Sequence, residues 1–311
     1  ITANGRRYSG LFDGTSSNYL KGYTPAMPQI ELAGESYNRM LRLMKQGETV
    51  KLKINVEATY HDEDTKNYNV IADIPGKGSK RKEIVLAGAH IDSWHLGDGA
   101  ADNGAGVAIV MEAMRILKAI GVKPKRTIRA GLWGAEEQGL HGSSYYVQKH
   151  LAEYPKFELE GTEGYPEWKM RERSEPIKLK SGYKKLSVYF NLDNGSGKIR
   201  GIKTHGNVAT QAIFDQWLAP FEDLGANTAS SRSSGGTDHA IFQNVGIPGY
   251  QFIQDALDYF PRIHHTQLDV LDYVSEKDLK QASVVMAAFL YNAAMRDEMM
   301  PRRPAPMKIA D

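Results

Sequence analysis

The chain has 311 residues, with 39 Lys and Arg against 37 Asp and Glu, a formal net charge of +2. That near balance, with no block of like charges, supplies no electrostatic footprint for nucleic acid. Cys is absent, which excludes disulfides, thiolate zinc sites and cysteine nucleophiles, so any metal must be held by His, Asp and Glu.

The chain opens on ITANGRRYSG, with neither a Met nor a basic-then-apolar leader, and reads as a processed or trimmed N-terminus of a secreted or periplasmic protein. Residues 1–34, rich in Gly, Ser, Tyr and Pro, predict irregular structure. A short helix is expected over 35–46, where Tyr37, Met40, Leu41 and Met44 recur at helical spacing and Gly47 can stop it. KLKINVEATY (51–60) alternates as a strand does, and NYNVIADIPG (67–76) predicts a second strand closed by Pro-Gly.

From there strands and helices alternate. EIVLAGA (83–89), TIRAGLWG (127–134), LSVYFNL (186–192) and IPGYQFI (247–253) predict buried strands. Helices are expected over 106–121, 140–150, 208–218 and 276–295, the last with Ser275 and Asp278 in a capping box. A polar excursion fills 153–185. The apolar stretch 282–295 is too short to span a bilayer. The pattern predicts an α/β fold of three αβα layers around a mostly parallel mixed sheet, which binds ligands at the carboxyl ends of its strands.

Those ends carry one chemistry. AHIDSWHLGDGAADNGAG (89–106) brings His90, Asp92 and Asp102 after the first buried strand; Glu136 and Glu137 follow the second, Asp193 the third, and His264 and His265 come after the fourth. In His90-x-Asp92 the two side chains share a face, so Asp92 can stand behind a ligand histidine as an orienting carboxylate. Adjacent Glu136 and Glu137 diverge, which suits one to a metal and the other to a substrate as general base. Asp102 opens a helix and has two oxygens with which to bridge two ions. His90, Asp102, Glu137, Asp193 and His265 then give each of two Zn²⁺ ions three ligands if Asp102 is shared.

The runs HIDSWHLGDGAADNGAG, GAEEQGLHGS, NLDN and IHHTQLD, in this order and spacing, resemble metallopeptidase family 28, the co-catalytic di-zinc exopeptidases, and within it the subgroup like plasma glutamate carboxypeptidase. The resemblance covers about residues 65–295. It implies the di-zinc exopeptidase (phosphorylase/hydrolase-like) fold and cleavage of a peptide or dipeptide by an aminopeptidase or dipeptidase. It further implies His90, Asp102 and Asp193 on one zinc, and Asp102, Glu137 and His265 on the other. Glu136 would take a proton from a metal-bridging water and pass it to the leaving amine, with Asp92 behind the first site. His265 is preferred to His264 because the family's ligand histidine stands four residues before an Asp, here Asp269. MPQIELAGESYNRMLRLMKQGETVKLKINV resembles the tail of a protease-associated domain, so residues 1–60 are expected to form an N-terminal segment and 61–311 the catalytic domain.

GGTDHAIF (235–242) resembles a substrate loop of the same family, which makes Asp238 and His239 candidates for substrate binding, with Tyr250 as a third; a helix start capped by Thr237 or Asp238 is the simpler alternative. Tyr259 and Phe260 are candidates for a side-chain pocket. His61, His141, His150 and His205 read as surface or structural residues, and His95 and Asp98 have no assigned role. Two other functions share the pattern: a glutaminyl cyclase-like acyl transferase, which works with one zinc, and a non-catalytic binding or receptor domain. No nucleic acid and no membrane span are expected, and the oligomeric state is left open, a homodimer being one candidate.

Overall fold

The computed structural model describes residues 2–3, 31–55, 57, 59, 61, 63–153 and 177–303. Most of the N-terminal irregular segment and of the 153–185 excursion lies outside the described residues. The main elements in chain order are α1 (Gly34–Lys45), β1 (Val70–Ile74), β2 (Ile84–His90), α2 (Ala105–Ala119), β3 (Thr127–Trp133), α3 (His141–His150), β4 (Leu186–Asn191), β5 (Ile199–Lys203), α4 (Gln211–Leu218), β6 (Thr228–Ser230), α5 (His239–Asn244), β7 (Gly249–Gln254) and α6 (Glu276–Met295). Short strand pairs also join Thr2–Ala3 to Glu31–Leu32 and Ala152–Glu153 to Lys178–Leu179.

The seven strands form one sheet in the order β6-β5-β7-β4-β2-β3-β1. Its centre is parallel: β7 pairs with β4, β4 with β2, and β2 with β3, all in the same sense. β1 joins antiparallel at one edge, and β7 meets β5 antiparallel toward the other. The mixed, mostly parallel sheet is thus the expected one, with two additions. β5 and β6 are short strands that the apolar pattern did not announce.

Strand periodicity divides the core in two. Val85, Ala87 and Ala89 of β2 and Val188 and Phe190 of β4 pack with α2, α4 and α6 on one face. Leu86 of β2 and Tyr189 of β4 pack with Tyr146 and Val147 of α3 and Phe242 of α5 on the other. Three layers result, and the central strands read as continuous apolar runs because both faces are covered. Gly88 is required on the second face: a Cβ there would lie 2.7 Å from Trp133 Nε1 and 2.7 Å from Tyr189 OH, which hydrogen-bond to each other across it.

At the N-terminal side the sequence pattern misleads. No described residue of 51–60 is in a strand, and Leu52 and Ile54 are 48% and 52% exposed. Alternation predicts a strand only where a neighbouring edge and an apolar face receive it, and here neither does. α1 forms as expected but buries none of its residues. α6 begins as its sequence predicts, with Ser275 Oγ accepting the Asp278 N–H. No helix among the described residues is long and apolar enough to cross a membrane.

Candidate metal centre

His90 ends β2, Glu136 and Glu137 follow β3, Asp193 follows β4, and His264 and His265 follow the turn Tyr259–Ile263 beyond β7. These four strands are the mutually parallel ones, so their carboxyl ends open on the same side of the sheet, where such folds bind ligands. Asp102 arrives from the irregular segment Ala100–Gly104 that leads into α2. Asn103 ties that segment down: its Nδ2 donates to Leu192 O at 2.9 Å and its Oδ1 accepts the Gly106 N–H at 3.1 Å. A Cβ on Gly106 would stand 2.2 Å from that Oδ1, so the close turn needs glycine.

The side chains converge on a cleft of about 510 Å³. His90 Nε2 lies 3.3 Å from Asp102 Oδ1 and 3.6 Å from Asp193 Oδ1. His265 Nε2 lies 3.0 Å from Glu137 Oε2 and 3.4 Å from Asp102 Oδ2. Asp102 therefore stands between the two histidines and presents one oxygen to each. Ligand atoms of His90, Asp102 and Asp193 lie within 4.8 Å of one another, as do those of Asp102, His264 and His265 and those of His90, Glu136 and Glu137. His264 stacks on His265 with ring centroids 3.7 Å apart, and its Nε2 is 3.9 Å from Asp102 Oδ2.

Two carboxylates hold the frame. Asp92 accepts the backbone N–H groups of Glu136 and Glu137, each at 3.0 Å, while His90 Nδ1 stands 3.0 Å from the Asp92 carbonyl oxygen. Asp269 accepts the N–H groups of Ala101 and Asp102 at 2.6 and 3.0 Å. In the sequence Asp269 served only as a spacing marker for His265; its grip on the Asp102 segment is a contact 167 residues long that no local pattern announces. Beneath Asp193, Gln251 Nε2 donates to its carbonyl oxygen at 2.5 Å and Tyr259 OH is 3.4 Å from its Oδ1.

The electrostatics are those of a site short of positive charge. Burial drives Glu136 well above the ordinary carboxylate range, with Asp193, Asp238 and Glu137 adding to the rise against the pull of His90. Burial also pushes Glu137 up to about 7, against the hydrogen bond to His265. For Asp102 burial is outweighed by the hydrogen bond and charge of His90, so its pKa is lowered, and the same imidazole lowers that of Asp193. His90 is the counterpart: burial opposes its charge, but Asp193, Glu136 and Asp102 hold its pKa well above the usual value. Asp102 Oδ2 and Glu137 Oε1 are buried without a hydrogen-bond partner. Oxygen and imidazole donors, carboxylates in excess and orphaned carboxylate oxygens fit divalent zinc.

The three expected substrate residues do not line this cleft. Asp238 and His239 are fully buried, and Tyr250 is 2% exposed with its hydroxyl accepting from Asn207 Nδ2. Asp238 is the N-cap residue of α5, though its side chain makes no cap hydrogen bond; burial pushes its pKa up to about 7. The cleft wall is built instead from Gly235 and Gly236 of the same run, with Leu140, Ala240, Ile241 and Tyr259. Alternation on β7 turns Tyr250 to the opposite face, into the core with Phe214. His205 is buried and not at the surface.

Comparison with known proteins agrees with this geometry. The model of peptidase family M28 matches residues 69–290. Carboxypeptidase Q of Mus musculus is 30% identical over 279 residues, which cover 89% of this chain and 52% of the relative. Aminopeptidase YwaD of Bacillus subtilis is 29% identical, covering 80% and 48%. Among solved structures, the Peptidase M28 precursor from Shewanella amazonensis aligns with a TM-score of 0.71 at 28% identity, over 94% of this chain and 59% of its own. BSAP, a zinc aminopeptidase from Bacillus subtilis, aligns with a TM-score of 0.54 at 27% identity, over 74% and 50%. The chain spans about half the length of the curated relatives it matches. With the family model covering most of the chain and the sheet, the cleft and its imidazole and carboxylate groups in place, this chain belongs to peptidase family M28.

Proposed function

We propose that this chain is the catalytic part of a zinc-dependent exopeptidase that acts at a free amino end, as an aminopeptidase or dipeptidase, with two Zn²⁺ ions. The observation that carries the reading is the Asp102 carboxylate, with Oδ1 3.3 Å from His90 Nε2 and Oδ2 3.4 Å from His265 Nε2. His90, Asp102 and Asp193 would hold one ion, and Asp102, Glu137 and His265 the other. Zinc bound there supplies Lewis acidity for the scissile carbonyl and makes water a stronger acid.

The protein's own groups do the rest. Glu136 lines the cleft beside these ligands without being needed by either set. It serves as general base, taking a proton from the attacking water, and then as general acid toward the leaving amine. Asp92 fixes the backbone of both glutamates, which keeps the base at a set distance from the ligand. Among the described residues, the ionisable groups lining the cleft are carboxylates, imidazoles and the Tyr259 phenol. None of them is a Lys or Arg placed to pair with a substrate's terminal carboxylate. Leu140, Ala240 and Ile241 offer an apolar wall for its side chain. All five proposed ligands are present, which supports a two-ion hydrolase over the one-zinc cyclase and the non-catalytic domain.

The experiment is a panel of aminoacyl reporters, dipeptides and N-acetylated peptides assayed with and without chelator, beside Glu136→Gln. Hydrolysis confined to free amino ends, abolished by chelation, and a Gln variant that keeps its zinc but is ~10²- to 10⁴-fold slower support the reading. Equal cleavage of N-acetylated peptides sinks the assignment to free amino ends, and a fully active Gln variant sinks the role of Glu136.

A further inference from the structure

A second, smaller cavity of about 20 Å³ lies at the turn after β5 and shares no lining residue with the metal cleft. Its walls include Thr204, His205, Tyr250 and Arg303. Thr204 and His205 are 1% and 2% exposed, and Thr204 Oγ1 and His205 Nδ1 have no hydrogen-bond partner. The nature of the unmet histidine group follows from its other nitrogen. His205 Nε2 accepts the Gln251 N–H at 3.4 Å, and burial brings the pKa of the ring down to about 3. A neutral imidazole that accepts at Nε2 carries its proton on Nδ1, so the orphan is a donor. The threonine hydroxyl is a second donor. The Arg303 guanidinium, which gives one N–H to His205 O at 2.6 Å, has four more.

The two charges that act on this corner, Lys203 and Arg303, have one sign. The titratable groups that act on His205 are His239, Lys203 and Arg303, and no Asp or Glu is among the cavity-lining residues. Two wall carbonyls that could have accepted a proton are already used: Pro248 O by Tyr189 N–H and Gly249 O by Gln243 Nε2. We propose that this cavity binds a small monovalent anion, chloride or another halide. The space exceeds the roughly 10–15 Å³ that one water needs, which suits a single monatomic ion. A water accepts from at most two of these donors and has two protons of its own to place, whereas a halide accepts from all three at once. The ion would also fix the tautomer that leaves His205 Nε2 free for Gln251, whose side chain grips the Asp193 carbonyl oxygen.

The test uses the full chain. Crystals soaked in bromide should show an anomalous difference peak in this cavity, and the thermal midpoint should be higher in chloride or bromide, by about 2 °C or more, than in gluconate of equal ionic strength at physiological concentration. Thr204→Val and Arg303→Gln, neither of which touches the metal cleft, should lose both the peak and the halide-specific shift. They separate this site from halide held elsewhere. Absence of a peak, or a halide shift that survives both variants, overturns the proposal. A peak seen at soaking concentration without any shift in solution means an adventitious ion only, and overturns it too.

Discussion

Replacing Asp269 by Ala should damage the fold and the metal centre together. The carboxylate is 4% exposed and accepts two consecutive backbone N–H groups, from Ala101 at 2.6 Å and Asp102 at 3.0 Å. Alanine leaves both donors buried and unsatisfied, at about 1–3 kcal/mol each. Against this stands relief of the buried charge, since burial raises the Asp269 pKa. The net loss is about 2–4 kcal/mol, read from guanidinium unfolding of variant and parent. The Ala101–Asp102 backbone loses the two bonds that orient it, so zinc affinity, measured by competition with a chromogenic chelator, should fall about 10- to 100-fold. Asp269→Asn keeps one acceptor oxygen and should lie between parent and Ala. If the Ala variant unfolds within about 1 kcal/mol of the parent and binds zinc equally well, the contact does not hold the Asp102 segment and the argument fails.

Asp102→Ala removes the carboxylate placed between both ligand sets, and elemental analysis should find both ions lost, where a change at Asp193 should spare the second. His239 is fully buried with a pKa lowered to about 4, chiefly by burial. Its folded pKa is below the unfolded one, so the unfolded chain binds more protons between the two and stability is lost as pH falls from about 6.5 toward 4. At about pH 5 this costs ~2 kcal/mol, so wild type should lose that much more than His239→Gln between about pH 8 and pH 5 in denaturant titrations. Phe289, fully buried, meets the rings of Phe190, Phe214, Trp217 and Phe252 at 5.1 to 5.8 Å. Phe289→Ala should cost about 3–5 kcal/mol in unfolding while zinc content stays unchanged, since the ring packs on the helical face away from the cleft.

What was legible in the sequence is what local pattern determines. β2, β3, β4 and β7 are apolar runs because two helical layers cover them, and the charged residues just past their ends stand out against that background. The α6 boundaries coincide with the expected ones because a serine cap marks the start. Misreadings fall where tertiary partners decide. β5 is interrupted by Gly201, whose absent Cβ makes room for Thr228 O of the neighbouring β6. Such a strand is specified by its neighbour and not by its own alternation. Residues 51–55 alternate but find no edge to join. Asp238 and His239 are polar residues in a loop with a functional look, yet both are buried at the start of α5, and the glycines before them form the wall.

The ligand histidines proposed here each share a short segment with a carboxylate that binds no ligand atom but clasps another loop. The His90 segment reaches through Asp92 to the N–H groups of Glu136 and Glu137, and the His265 segment reaches through Asp269 to those of Ala101 and Asp102. The loop after β2 is thereby joined to the loops after β3 and β7, far from it in the chain, by backbone hydrogen bonds that involve no metal. The carboxylates of Asp102 and Glu137 repel one another, and burial magnifies that repulsion. Left to itself, it would drive these loops apart. Clasping the backbone, and not the ligand side chains, resists that separation while leaving Asp102 Oδ2 and Glu137 Oε1 unpartnered and available to a cation. The cost of assembling like charges is therefore met by the fold, and the zinc proposed here would bind a frame that backbone hydrogen bonds already assemble.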